Sequence, residues 1–282
     1  MQLFRENIRA TYQFIQPEGN CVNACVVSDV GLIRGNNEDN YILDTCMNVN
    51  ADRHIQAQTT FEALKDQWHL FGVFDGMGGG EKGEIASGTT AKVFKDAWLR
   101  ASDCADKTEI DNILRKSFLD SNNEIVHLQR KFKIYGTTGT VICTNSEEFK
   151  IYHLGDSRAY LLRDGQLFRL TKDQTLAQMK IDVGLYEASD PQAEMERHKL
   201  TEYIGRDWTK ENLSPVESEW IPIEPNDRIL LCSDGLYDMC TDTNIAEILK
   251  SLPMPATAAK NLVQAALANG GEDNITCVVL SF

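Results

Sequence analysis

Short apolar runs broken by polar turns, and two pairs of longer segments with apolar residues three and four apart, set the rhythm of this chain. The short runs are rich in Val, Ile, Tyr and Phe, which fit a pleated surface. They predict strands over residues 22–28, 41–43, 70–74, 139–144, 149–154, 158–162, 166–170, 218–223, 228–232 and 275–280. Asp164-Gly165, between two of these, is a hairpin signal. Helical spacing predicts 84–101, with Ala86, Thr90, Val93, Ala97 and Trp98 on one face. It predicts a second helix over 109–132, with Ile110, Leu114, Phe118, Ile125, Leu128 and Phe132 inward, and a further pair over 243–251 and 256–268. Hairpin-linked strands with helices grouped between them indicate an α+β fold, its antiparallel sheets covered by helices. Residues 46–67 and 171–199 are polar and irregular, and read as surface excursions near a site. Without repeats, low-complexity tracts or Pro/Ser-rich linkers, residues 1–282 read as a single domain with an N-terminal extension over 1–20.

Residues 69–88, HLFGVFDGMGGGEKGEIASG, stand out. A largely buried strand over Leu70, Phe71, Val73 and Phe74 ends on Asp75 and runs into Gly76, Gly78, Gly79 and Gly80, which permit a sharp turn and close backbone approach. A helix follows. The Walker pattern fails because Gly83 follows Lys82, and no G-x-G-x-x-G register fits. A carboxylate held at a strand end for a metal remains, beside the plainer reading of Asp75 as a turn residue.

Composition narrows the classes. The chain is 42% hydrophobic, enough for one sizeable core, and no apolar stretch approaches the roughly 18 residues of a membrane span. The N-terminal residues lack the order of a signal peptide, so a cytoplasmic location is expected. Of eight cysteines, Cys21 and Cys25 are the closest pair and no metal-ligand spacing follows, while Cys143, Cys232 and Cys277 sit in apolar runs and read as buried thiols. His54, His69, His127, His153 and His198 form no ligand pattern and read as structural or surface groups. A net charge of −14 disfavours nucleic acid as a partner. It also disfavours phosphorylated substrates, unless some carboxylates hold divalent cations that invert the sign at the site.

The carboxylates supply that condition. Asp75 is joined by Asp156 at the end of YHLGD, by Asp234 in LLCSDG with Asp238 four residues on, and by Asp273 before the last strand. Glu38 and Asp39 lie on the loop after the first strand, with Arg34. An acidic residue where an apolar strand meets a small-residue loop thus recurs four times. Strand ends gather at a common edge in packed sheets, and clustered carboxylates repel unless protonated or neutralised by metal. Oxygen ligands suit Mg²⁺ or Mn²⁺, and the planar fork of Arg34 suits two phosphate oxygens.

DVGLIRGNNED, FDGMGGGEKGEIAS, GTTGT, HLGDSRAYLLRDGQLFRLTKD, LLCSDGLYD and GGEDNIT, in this order, resemble the PPM-type (type 2C) metal-dependent protein serine/threonine phosphatases in their bacterial form. The resemblance covers the chain from about Cys25 to its end. It implies two stacked antiparallel sheets flanked by helix pairs, an α-β-β-α sandwich. It further implies two Mn²⁺ or Mg²⁺ ions bridged by Asp75, with the Gly76 carbonyl on one of them. Asp234 and Asp273 would complete the ligand set of the second metal, Glu38 would act through water and Asp39 in support. Asp156, with Asp234 and Asp238, would match a third metal position, and Arg34 would bind the substrate phosphate. The implied reaction is hydrolysis of phosphoserine and phosphothreonine by direct attack of a metal-bridging water or hydroxide. A serine/threonine kinase and its substrates are the expected partners of a monomer.

There are departures. Met77 stands where many eukaryotic members carry a histidine proposed to protonate the leaving group, which leaves metal-bound water or an unassigned acid for that role. Residues 46–67 are longer than expected, and 176–205, the place of the family's flap, end in ERHKLTEYIG, only loosely like its usual end. Two other readings stay open: a GHKL-type ATPase, on the faint likeness of DGMGGGEKG, and a phosphoprotein-binding module of the same fold without turnover.

Overall fold

The computed structural model describes residues 22–48, 57–62, 67–77, 82–101, 106–207 and 213–282. Gly78, Gly79, Gly80, Cys21, His54 and the N-terminal extension lie outside these residues.

Two antiparallel sheets stack on each other. The first joins β11 (Gln166–Arg169), β10 (Arg158–Arg163), β14 (Arg228–Cys232), β15 (Ile275–Ser281), β1 (Asn23–Asp29) and β4 (Ala57–Glu62), in that order. The second joins β12 (Val216–Glu217), β9 (Glu148–Leu154), β8 (Gly139–Thr144), β5 (His69–Phe74), β2 (Asn40–Leu43) and β3 (Cys46–Met47), with β13 (Ile221–Pro222) also pairing β9. A small ribbon of β6 (Gly76–Met77) and β7 (Gly136–Thr137) continues from the second sheet.

Strand alternation sends successive side chains to opposite faces, and this sorts the apolar residues into three layers. Val26, Phe71, Ile151, Leu231 and Val278 pack between the sheets. Helices α1 (Gly83–Ala101) and α2 (Lys107–Gln129) cover the outer face of the second sheet through Phe94, Trp98, Leu114 and Phe118. Helices α6 (Asp242–Ser251) and α7 (Pro255–Ala268) cover the first through Ile245, Leu249, Leu262 and Val263. This is the expected sandwich. Capping explains two helix starts: Asp106 accepts from the Thr108 amide at 2.8 Å, and Thr241 accepts from the Asn244 amide at 3.2 Å.

The sequence pattern departs from the fold in several places. On α1 Ala86, Thr90 and Trp98 are buried as expected, but Phe94 is buried in place of Val93, and Val93 and Ala97 are half-buried. α2 ends at Gln129, so Phe132 lies beyond it, 41% exposed. The strand expected over 218–223 is two short strands. Ser218 replaces a ladder partner with its side chain, its Oγ accepting from the Ile151 amide at 3.0 Å, and Pro222 has no amide to donate. Residues 46–67 are not wholly irregular: they contain β3 and β4, the latter an edge strand paired along β1. Residues 171–199 carry two short helices, α3 (Leu176–Asp182) and α4 (Pro191–Glu196), capped by Thr175 and Asp190. Cys143, Cys232 and Cys277 are buried free thiols, as expected, and Cys46 is exposed. Among the described residues no helix is long and apolar enough to cross a membrane.

Candidate active site

A cleft of about 550 Å³ lies where ends of both sheets meet, lined by Arg34, Glu38, Asp75, Gly76, Asp234, Asp238 and Asp273 among others. Each acidic group stands at an element boundary. Asp75 follows β5, Asp156 follows β9, and Asp273 precedes β15. Asp234 opens the short helix α5 (Asp234–Tyr237) directly after β14. The strands are buried and rigid, so their ends hold these carboxylates in fixed places.

The backbone of Asp75 is pinned on both sides. Its amide donates to Thr138 Oγ1 at 2.9 Å, and its carbonyl accepts from the Thr138 amide at 2.8 Å and from Thr137 Oγ1 at 2.7 Å. Thr138 Oγ1 lies 2.7 Å from Ser157 Oγ, beside Asp156. Gly76 meets α1 so closely that a Cβ there would stand 2.4 Å from the Gly83 carbonyl oxygen and 2.5 Å from that of Glu38. The Glu38 carboxylate accepts from the Gly83 amide at 3.2 Å, at the start of α1. Two residues that the sequence reading did not single out shape this region. Asn274 anchors the 30–38 loop, donating to the carbonyls of Val30 and Asn36 at 2.8 Å each and accepting from the Glu38 amide at 2.8 Å. Ser233 Oγ donates to Asp39 Oδ2 at 2.7 Å.

Not every predicted residue faces the cleft in the same way. Asp39 is 3% exposed and lies behind the lining, towards a second hollow with Asn40 and Lys95. Arg34 stands at the mouth, its side chain 50% exposed, with Nη2 2.6 Å from Asp273 Oδ2. Asp156 is 5% exposed, and Asp238 pairs with Arg197 at 2.8 Å. Arg197 and His198 come from the segment after α4 and line the cleft too. His198 is therefore a cleft residue rather than a mere surface group. Its Nδ1 is 3.4 Å from Asp234 Oδ2 and its Nε2 3.6 Å from Asp238 Oδ2. No spacing in the sequence connects it to Asp234, and the fold alone does.

Crowding acidic groups in a partly dry cleft favours their neutral forms. Burial, then the neighbouring Asp39 and Asp234, hold the Asp75 carboxyl well above the usual carboxylate range. Burial and Asp234 do the same to Asp156. Burial lifts Asp39 to about 7 and Asp238 to about 6, and raises Glu38 and Asp273. Such a group is at odds with a neutral solution until positive charge is added. The donors are carboxylate oxygens and, at Gly76, a carbonyl of the short strand β6. That set fits hard divalent cations of the Mg²⁺ and Mn²⁺ kind.

The chain resembles known proteins over most of its length. The family model for protein phosphatase 2C matches residues 35–180. The chain is 31% identical over 256 residues to the serine/threonine phosphatase stp of Listeria monocytogenes, covering 90% of this chain and 93% of that protein. The catalytic domain of the serine/threonine protein phosphatase PstP, solved in complex with two manganese ions, superposes with a TM-score of 0.68 at 29% identity, over 93% of this chain and 98% of that one. Serine/threonine phosphatase Stp1 from Staphylococcus aureus superposes with a TM-score of 0.73 at 26% identity, over 92% of this chain and 94% of that one. With the motifs in family order, the two-sheet sandwich and the convergent carboxylates, the chain belongs to the protein phosphatase 2C family.

Proposed function

We infer that this chain is a metal-dependent serine/threonine protein phosphatase that hydrolyses phosphoserine and phosphothreonine in proteins. The observation that carries the reading is the convergence of Asp75, Asp234 and Asp273, from ends of two different sheets, on one cleft with Arg34 at its mouth. Asp75, the Gly76 carbonyl, Asp234, Asp273 and Glu38 would hold two Mn²⁺ or Mg²⁺ ions, with Asp39 supporting Asp75 from behind and Asp156 and Asp238 beside Asp234. When bound, such cations neutralise phosphoryl charge and acidify water for attack in line at phosphorus.

The chain's own groups do the rest. Arg34 is exposed enough to meet a substrate, and its planar guanidinium matches two phosphoryl oxygens. Its contact with Asp273 keeps it at the cleft edge when no phosphate is present. Thr137 and Thr138 hold the Asp75 backbone so that its carboxylate does not drift during the reaction. Met77 lines the cleft and has no proton to give a leaving group. No side-chain nucleophile is needed, which suits a cleft whose lining, among the described residues, contains no serine, threonine or cysteine. Residues 176–205 form the flap over one side, within a single catalytic domain. The partners are phosphoproteins made by a serine/threonine kinase, and the chain acts as a monomer.

Hydrolysis of a phosphothreonine peptide with Mn²⁺, with EDTA and with Asp75→Asn tests the reading. Turnover that depends on Mn²⁺, and that the substitution lowers by at least about a hundredfold, is the expected result. Folded, Mn²⁺-loaded wild type without turnover would overturn it in favour of a phosphoprotein-binding module.

A further inference from the structure

At the C-terminal end of α2, residues 129–135 read QRKFKIY and contain no acidic side chain, in a chain whose net charge is −14. Arg130, Lys131 and Lys133 are exposed and form no ion pair with any described residue. Lys82 joins them from the segment before α1, its Nζ 4.6 Å from the centroid of the Phe132 ring. Phe132 is 41% exposed and Tyr135 63%, so two aromatic rings stand among the cations. The dipole of a helix favours basic residues at its C-terminus, which accounts for Arg130 and Lys131. It accounts neither for Lys133, past the last turn, nor for Lys82 on another element. The surface is also held in shape. Ile134 is buried in the core that α1 and α2 cover, and the Lys131 and Phe132 amides donate to the Leu128 carbonyl at 2.9 and 3.0 Å. Gln129 Nε2 donates to the carbonyls of Tyr135 and Gly205 at 2.7 Å each. Finally, it abuts the cleft: Gly136, next to Tyr135, is the register partner of Met77, which lines the cleft.

We propose that Lys82, Arg130, Lys131 and Lys133, with Phe132 and Tyr135, form a docking surface for an acidic stretch of the phosphoprotein substrate, beside the cleft that takes its phosphorylated residue. This rests on the reading of the cleft as a phosphatase site. Charge decides the kind of partner. A chain of −14 repels acidic segments on average, so clustered cations give aspartate and glutamate side chains near the phosphorylated residue a favourable place. The same net charge opposes an anionic membrane, which would meet the field of the whole protein as well as this patch. The aromatic rings add apolar contact for the stems of the acidic side chains, and the fixed backbone lowers the ordering cost of docking. The surface begins one residue from the strand paired with Met77, and an extended peptide advances about 3.3–3.6 Å per residue. A substrate leaving the cleft on this side therefore reaches it within a few residues.

The test compares two phosphothreonine peptides, flanked on both sides by glutamates or by the isosteric glutamines, as substrates of the full chain at equal free Mn²⁺. Lys131→Gln with Lys133→Gln is set against Lys250→Gln with Lys260→Gln, which removes the same charge from α6 and α7. In wild type and in the α6/α7 variant, KM for the glutamate peptide is expected to be about tenfold below that for the glutamine peptide. In the patch variant the gap falls to about twofold, with kcat unchanged within about twofold. The wild-type gap is expected to shrink as salt is raised from about 0.05 to 0.5 M. Fluorescence anisotropy with unphosphorylated forms of both peptides reads docking without turnover, and is expected to follow the same order. Equal KM values for the two peptides, or a gap that the patch variant keeps, would overturn the docking surface while leaving the phosphatase reading intact. Equal KM values together with binding to phosphatidylserine vesicles that the patch variant loses would assign this face to a membrane instead. Folded, Mn²⁺-loaded wild type that turns over neither peptide would overturn the phosphatase reading, and the anisotropy order would then decide on docking alone.

Discussion

Replacing Asp39 by asparagine removes charge from the carboxylate cluster with almost no change of shape, and its effect on stability is expected to be positive. Asp39 is 3% exposed and accepts from Ser233 Oγ at 2.7 Å, a bond that an amide oxygen can also accept. Burial, opposed by the hydrogen bonds of Ser233 and Thr276 and aided by Asp273 and Asp234, lifts its carboxyl from 3.8 to about 7. The folded state therefore holds a proton that the unfolded state has released between these two values. Stability from this group is complete below pH 3.8 and is lost as the pH rises through 7. In metal-free protein at pH 7 the loss comes to about 4 kcal/mol, and at pH 4.5 to about 1 kcal/mol.

Asp39→Asn has no such loss. Urea unfolding in EDTA is therefore expected to show the variant more stable than wild type by about 2–4 kcal/mol at pH 7, with the gap shrinking to about 1 kcal/mol at pH 4.5. Saturating Mn²⁺ is expected to narrow or reverse the gap at pH 7, because a cation stabilises the charged wild-type cluster more than the neutralised one. A variant less stable than wild type in EDTA at pH 7 would refute the reasoning. So would a gap that does not depend on pH. Either result would mean that the hydrogen bonds to Asp39, rather than its buried charge, decide its energy.

Two further outcomes concern the frame around the cleft. Gly76→Ala puts a methyl group 2.4 Å from the Gly83 carbonyl oxygen and 2.5 Å from that of Glu38, both of them backbone, so α1 and the 36–38 loop must move apart. The expected cost is about 1–3 kcal/mol, seen as a melting temperature several degrees lower in EDTA, and an unchanged melt would contradict the close approach of the three segments. His153 is buried, with Nε2 donating to the Lys172 carbonyl at 3.1 Å, and burial lowers its titration to about 4. Stability from the neutral ring is complete above pH 6.5 and is lost as the pH falls towards 4, by roughly 3 kcal/mol. His153→Asn is expected to flatten that acid loss in urea midpoints compared between pH 7 and pH 4.5, and an acid loss equal to that of wild type would refute it.

How far the sequence carries can be read from particular elements. The strands β5, β8 and β14 and the helices α6 and α7 were legible, because their apolar periodicity is local and follows directly from which face is buried. Asp75, Asp156, Asp234 and Asp273 were legible as a recurring device, since a carboxylate beside glycine, asparagine or serine at a strand end leaves a local mark. β4 was not. Its partner β1 lies some thirty residues earlier, and an edge strand with one exposed face carries little apolar signal. The ribbon of Gly76–Met77 with Gly136–Thr137 was missed for the same reason, being too short to have a period.

What only the tertiary structure decided is which of these residues meet. Arg34 touches Asp273 across 239 positions, and Ser233 reaches Asp39 across 194. Neither contact has a counterpart in any window of the sequence: the first is made by the pairing of β1 with β15 at one sheet end, the second by bringing the end of β14 in one sheet to the start of β2 in the other. His198 is the clearest case. In the chain it is one histidine in a polar stretch, and it becomes a cleft residue only because α3 and α4 bring the segment back over Asp156 and Asp234. Periodicity and turn chemistry, both short-range, thus determined the elements and marked their acidic ends. The direction in which each end points, and what it faces there, came from packing two sheets between two pairs of helices.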